Sequence, residues 1–165
     1  MKQHIQHGDL IESITPFDDS PNIIVHGTNC IGYMNSGFAR ALRDLYPGVY
    51  EVFKKEHDTH GLQLGHITTY QLGSLTIVNA NTQQYCRNYR HPDGTVEPQD
   101  KVFVDYDAVQ EAFQRIAALA NVTGAHIHYP LIGAGLANGN WNEIDRRISM
   151  VLDDTYLQHT LWIKE

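Results

Sequence analysis

Short β-rich runs separated by amphipathic helical stretches constrain this chain more than any other feature. The runs fall at residues 3–7, 23–26, 66–71, 75–80, 125–131 and 160–164, each bounded by Gly, Pro, Asn or Asp. Between them lie helical patterns. In 103–121, Phe103, Tyr106, Val109, Phe113, Ile116 and Ala120 recur at spacings of three and four, which makes one apolar stripe. In 141–152, Trp141, Ile144, Ile148, Val151 and Leu152 share a face. Residues 36–45 and 47–57 form two more helices, divided by Pro47, which can open a helix but not continue one. Strands alternating with helices call for a largely parallel sheet covered on both faces. The expected fold class is α/β, a three-layer α/β/α domain.

The 165 residues contain no repeat, low-complexity tract or linker, so residues 1–165 read as a single domain. One segment lacks periodicity. Residues 84–101 hold Arg87, Arg90, His91, Pro92, Gly94 and Pro98 and read as a loop or lid, from which Arg87 and Arg90 could reach a terminal phosphate. The balance of 12 Lys plus Arg against 19 Asp plus Glu gives a formal charge of −7. That argues against a protein whose main task is to grip a phosphate backbone. An anionic ligand would have to be held largely by backbone N–H groups. Cys30 and Cys86 make no disulfide framework, and neither a signal core nor a membrane span is visible. A cytoplasmic protein without membrane partners is expected. The pairs His57/His60 and His126/His128, among 10 histidines, lack metal-site spacing, so no metal and no cofactor is expected.

Three segments carry chemistry, each following a β-rich run, where open α/β sheets place their ligands. The first is Gly8-Asp9-Leu10. The second runs from Val25-His26-Gly27-Thr28-Asn29-Cys30 through Gly32-Tyr33-Met34-Asn35-Ser36-Gly37-Phe38-Ala39 into a helix. Gly27 and Gly32 have P-loop spacing, but Tyr33 replaces the required Lys. The third is Pro130-Leu131-Ile132-Gly133-Ala134-Gly135-Leu136-Ala137-Asn138-Gly139-Asn140-Trp141, in which Asn138 breaks the dinucleotide fingerprint. Glycine loops that lead into helix N-termini suit a diphosphate held by backbone. The plainer reading of each loop alone is a tight strand-to-helix turn.

In order, these segments and Val78-Asn79-Ala80-Asn81-Thr82-Gln83 resemble the macrodomain family of ADP-ribose-binding and ADP-ribose-processing modules. The resemblance covers nearly the whole chain and implies a mixed, mostly parallel central sheet between helices. It implies that Asp9 accepts a hydrogen bond from the adenine amino group, with Leu10 alongside. Gly32, Met34, Asn35, Ser36, Gly37, Phe38 and Ala39 would wrap the diphosphate and distal ribose from one side. Gly133, Ala134, Gly135, Leu136 and Ala137 would wrap the diphosphate from the other, and Trp162 would lie against the adenine or else pack in the core.

The resemblance also bears on activity. Family members that strip ADP-ribose from nucleotides or glutamate often use a Lys after the 75–80 run, where this chain has Asn81-Thr82-Gln83-Gln84. The run Val25-His26-Gly27-Thr28-Asn29-Cys30 looks like the branch that removes phosphate from ADP-ribose 1″-phosphate. That likeness gives His26 the role of general base and Asn29 that of fixing water or phosphate. The plain alternatives are a strand-end histidine and a loop-capping asparagine. The expected ligand is ADP-ribose or its 1″-phosphate, with ADP-ribosylated macromolecules as further partners. A hydrolase that frees ADP-ribose from protein or nucleic acid by substrate-assisted water attack, and a non-catalytic reader, are the competing readings.

Overall fold

The computed structural model describes residues 1–165. In chain order the elements are β1 His4–His7, α1 Leu10–Ser13, β2 Asn22–Asn29, α2 Gly37–Leu45, α3 Pro47–Thr59, β3 Ile67–Leu72, β4 Leu75–Gln83, α4 Tyr106–Thr123, β5 His126–Tyr129, α5 Trp141–Leu152 and β6 His159–Ile163. The six strands make one sheet in the order β1-β6-β5-β2-β4-β3. All neighbours are parallel except β3, which returns antiparallel on β4. The sheet is therefore mixed and mostly parallel, as expected. Helices α4 and α5 cover one face over a 22-residue core that includes Val25, Val78, Phe113 and Ile127. Helices α2 and α3 cover the other over nine buried residues, among them Ile24, Leu42, Phe53 and Ile77. Adjacent β2 residues Ile24 and Val25 thus point to opposite cores, as the period of a strand requires.

Two boundaries differ from the sequence reading for definite reasons. Helix α4 begins at Tyr106 because the Asp105 side chain accepts the Ala108 N–H and caps it. Phe103 and Val104 stay extended and buried, with Val104 bridged to Gln83. Strands β2 and β4 continue past the apolar run into polar sequence, because the polar side chains bond across the strands. His26 Nε2 lies 2.6 Å from Asn79 Oδ1, and the Thr28 hydroxyl donates to Asn81 Oδ1 at 2.9 Å. Asn79 also donates to Val49 O and Thr68 Oγ1, and Asn81 to Gln63 O. These asparagines, which sequence left open between ligand contacts and strand-end residues, fasten β4 to its surroundings.

The stretch 84–101 is built rather than featureless. Asn88 N–H donates to Glu97 O, Glu97 N–H to Tyr89 O and His91 N–H to Thr95 O, which closes a small hairpin around the Arg90–Val96 bridge. His91 and Lys101 both reach Glu97. Several histidines are also accounted for. His159 Nδ1 meets Tyr129 OH, and His159 Nε2 meets the Met1 carbonyl, holding the N-terminus on the sheet edge.

Candidate functional site

A cleft of about 1220 Å³ opens at the C-terminal ends of the parallel strands. Its walls follow the strand order. The Asp9 turn comes from β1, Trp162 and Lys164 from β6, the 130–137 loop from β5, the 33–39 loop from β2, and residues 83–89 from β4. Strands lie about 4.8 Å apart, so the four steps from β1 to β4 span roughly 19 Å. The site is long and linear.

At the β1/β6 end, Asp9 is half-buried and caps α1, its Oδ1 accepting the Glu12 N–H at 3.2 Å. Its other oxygen lies 3.5 Å from Lys164 Nζ. The Trp162 ring covers Gly8, where an added Cβ would lie 3.5 Å from the indole. Trp162 is fixed from behind by a directional chain. Its indole N–H donates to His128 Nδ1 at 3.0 Å, His128 Nε2–H donates to Asn22 Oδ1 at 2.9 Å, and Asn22 Nδ2 donates to Asp18 Oδ2 at 3.1 Å. Burial lowers the His128 pKa to about 3, so the ring is neutral, with one nitrogen accepting and the other donating as the chain demands. His126 stacks on it at 4.1 Å with its Nε2 on Thr160. Both ring nitrogens of His128 and the Nε2 of His126 are thus engaged within the sheet.

In the middle, two loops face each other. Helix α2 starts at Gly37, and its N-cap Ser36 puts no side-chain oxygen on the first-turn N–H groups, unlike the side-chain caps of α1, α4 and α5. Those N–H groups and the positive end of the helix dipole face the cleft. Gly37 has φ +61, and a Cβ there would lie 3.4 Å from Leu136, where the two loops meet. On the opposite loop, Gly139 N–H closes on Gly133 O at 2.7 Å. A Cβ on Gly139 would fall 2.5 Å from that oxygen, so no side chain fits. Gly135 has open space around it. Gly139 thus shapes the turn and Gly135 leaves room, while Gly37 and Gly133 do both, each with positive φ and each lining the cleft.

Of the residues expected to bind, Asp9, Leu10, Met34, Asn35, Ser36, Gly37, Phe38, Ala39, Gly133, Gly135, Leu136, Ala137 and Trp162 all line this cleft. Gly32 and Ala134 do not. Gly32 turns at φ +81 against the His57 ring, and Ala134 packs toward the α4/α5 core.

The two residues given catalytic roles sit at the cleft floor but present no free polar atom to it. His26 is 1% exposed; its Nε2 is bonded to Asn79, and its Nδ1 is buried without a partner. Because Asn79 Nδ2 already donates elsewhere, Asn79 Oδ1 is the acceptor and His26 carries its proton on Nε2. Burial lowers the His26 pKa to about 4, the Asn79 bond opposing only in part. Asn29 accepts the Ile31 and Tyr33 N–H groups and donates to Tyr33 O at 2.9 Å. It is the loop clamp.

Sequence reasoning missed much of the β4 end. Tyr33, Gln83, Cys86, Asn88 and Tyr89 line the cleft there, together with Arg87, which sequence had placed within reach. Arg90 instead donates to Gly94 O within its own hairpin, at 3.4 Å. The charged lining residues are Asp9, Glu12 and Lys164 at one end and Arg87 alone at the other.

Solved structures share this architecture. The macrodomain of DarG from Thermus aquaticus superposes with a TM-score of 0.75 at 21% identity, covering 99% of both chains. The chain has the macrodomain fold. The DarTG protein of Thermosipho africanus in complex with ADP-ribose superposes with a TM-score of 0.73 at 14% identity, over 99% of this chain and 42% of that one. Among characterised proteins, a DNA ADP-ribosyl glycohydrolase of Thermus aquaticus is 26% identical over 134 residues, covering 79% of this chain. The chain spans about a third of that relative's length, 34%. No family model matches the sequence. No helix is long and apolar enough to cross a membrane.

Proposed function

We propose that this domain holds ADP-ribose in the cleft and frees it from a macromolecule by hydrolysis. The observation that carries the reading is the pair of loops, 33–39 and 130–137, closing on one another above the parallel strand ends. Uncapped N–H groups at α2 suit a diphosphate without calling on lysine, which reconciles an anionic ligand with an acidic chain. Adenine lies at Trp162 and Asp9, the diphosphate between the loops, and the distal ribose toward β2 and β4. The similarity to a DNA ADP-ribosyl glycohydrolase and to a protein solved with ADP-ribose supports ADP-ribose as the ligand.

The reaction forms a bond from water oxygen to the distal ribose C1″ and breaks the bond from C1″ to the group it modifies. The water's proton passes to an oxygen of the ligand's own diphosphate and then to the departing group. No carboxylate or lysine lines the β4 end, so the ligand supplies the base and the loops supply orientation. Removal of phosphate from ADP-ribose 1″-phosphate would draw on His26 and Asn29, whose polar atoms are engaged or buried. We place it second.

The test pairs calorimetry with product analysis. The protein should bind ADP-ribose and release it from ADP-ribosylated DNA or protein, leaving ADP-ribose 1″-phosphate intact. Phosphate release from that compound, without release of ADP-ribose from either macromolecule, would contradict the reading. Binding without any turnover would make the domain a reader.

A further inference from the structure

Asn22 and His128 are buried and line no part of the cleft, yet between them they decide how Trp162 is held. Asn22 opens β2 and shares the α2/α3 face with Ile24, two residues on. Its Nδ2 donates to Asp18 Oδ2 at 3.1 Å and to Ser20 O at 3.4 Å. A carboxylate and a carbonyl only accept, so the amide can face one way, with Oδ1 toward β5. Asp18 is itself anchored, by the Thr15 N–H on Oδ2 at 3.5 Å and the Thr15 hydroxyl on Oδ1 at 3.3 Å. The amide oxygen of Asn22 also only accepts, which puts the His128 proton on Nε2 and leaves Nδ1 to take the indole N–H. With the proton on Nδ1, two donors would meet at Trp162 and two acceptors at Asn22. His126, stacked on the ring at 4.1 Å, fixes its plane.

We infer that Asn22 is a positioning residue for the nucleoside end of the cleft, setting the His128 tautomer that holds Trp162. The inference rests on the reading of the cleft as an ADP-ribose site with adenine at Trp162. An indole tied at its N–H keeps one face turned to the cleft before ligand arrives. An untied indole keeps its packing but must be ordered by the ligand, at the cost in affinity of immobilising one side chain. The nucleoside is common to free ADP-ribose and to every conjugate, so the loss falls on binding and KM, and kcat is spared.

The experiment uses the full chain with Trp141→Phe as parent, which leaves Trp162 the one tryptophan. In that background Asn22→Leu removes the amide. Asp18→Asn together with Asn22→Asp exchanges the carboxylate and the amide and keeps an oxygen toward His128. Imidazole ¹⁵N shifts read the His128 tautomer and Trp162 emission anisotropy reads indole motion, both without ligand. Calorimetry then gives the ADP-ribose affinity. The parent should show His128 protonated on Nε2. Asn22→Leu should abolish that preference, lower the anisotropy and weaken ADP-ribose about 2- to 13-fold, the range for ordering one side chain. Its kcat on any conjugate that the parent turns over should not change. The exchanged pair should restore the tautomer and bring the affinity most of the way back. A parent protonated on Nδ1, or an Asn22→Leu variant that loses the tautomer and keeps its affinity, would overturn the positioning role alone. An exchanged pair that restores the tautomer without the affinity would do the same. A parent with the Nε2 tautomer that binds no ADP-ribose would remove the reading of the cleft, and this inference with it.

Discussion

The two ends of the cleft are built by opposite means. At the β1/β6 end a single indole is fixed by a chain of hydrogen bonds running through His128 and Asn22 to Asp18, all within the sheet and its first loop. At the β4 end several rings from two separate loops fix one another mainly by packing, and the tyrosine rings are held through polar bonds to their backbone, from Asn29 to Tyr33 and from Gln83 to Tyr85. The first suits a ligand part that never varies, because a buried directional network tolerates one arrangement. In the proposed reading, the loops between them hold the diphosphate.

Breaking the middle should have the largest effect, because both ends depend on it. Gly135→Glu puts a carboxylate into open space where backbone should meet diphosphate, and ADP-ribose affinity should fall more than about 100-fold, a cost of about 2.7 kcal/mol or more. The melting temperature should move little. Gly37→Glu is a poorer probe, since φ +61 strains any side chain there. Next comes the nucleoside end. Trp162→Ala should weaken free ADP-ribose and every conjugate by the same factor, about 5- to 150-fold, whereas a loss confined to conjugates would reverse the assignment of the ends. His128→Phe should act more mildly, lowering ADP-ribose affinity a few-fold by freeing the indole. Its signature is altered tryptophan fluorescence together with lost stability of about 1–3 kcal/mol, from the donor and acceptor it leaves unpaired.

Acid should act on the scaffold before it acts on the ligand. His26 and His128 have pKa values lowered to about 4 and about 3 by burial, and burial lowers His126 and His159 as well. Below about pH 6.5 the unfolded chain binds protons that the folded chain refuses, so stability is full above that value and declines as pH falls. Each histidine of this kind contributes about 1.4 kcal/mol per pH unit until its folded pKa is reached. Thermal melts from pH 8 to 4.5 should show a decline that begins near 6.5. A flat profile would mean that these rings are not buried neutral.

The same contrast explains what could be read from sequence. The sheet, the four long helices and the two glycine loops announce themselves through local periodicity and punctuation. Trp162 was singled out only through the family resemblance, beside a plain core-packing alternative, and it lines the cleft. Gly32 and Ala134 misled because a glycine-rich loop contains residues that shape the turn as well as residues that face the ligand, and spacing alone does not separate them. His26 and Asn29 line the cleft, yet their side chains also serve the scaffold. Polar residues at a strand end read as functional, yet His26 faces the α2/α3 core through Asn79 and Asn29 ties its own loop. The β4 end was illegible because its rings come together across 33–91 by tertiary packing, which leaves no period in the chain. Arg87 was the one residue there that sequence singled out.

In the proposed reading an acidic chain holds an anionic nucleotide through backbone N–H groups at two facing loops. Titration of ADP-ribose into ¹⁵N-labelled protein, followed by amide chemical shifts, tests this most directly. The largest shifts should fall on the N–H groups of Gly37, Phe38, Ala39, Gly135 and Leu136, and the affinity should change little between low and moderate salt. Shifts centred away from both loops, or binding that collapses with salt as side-chain cations are screened, would contradict it.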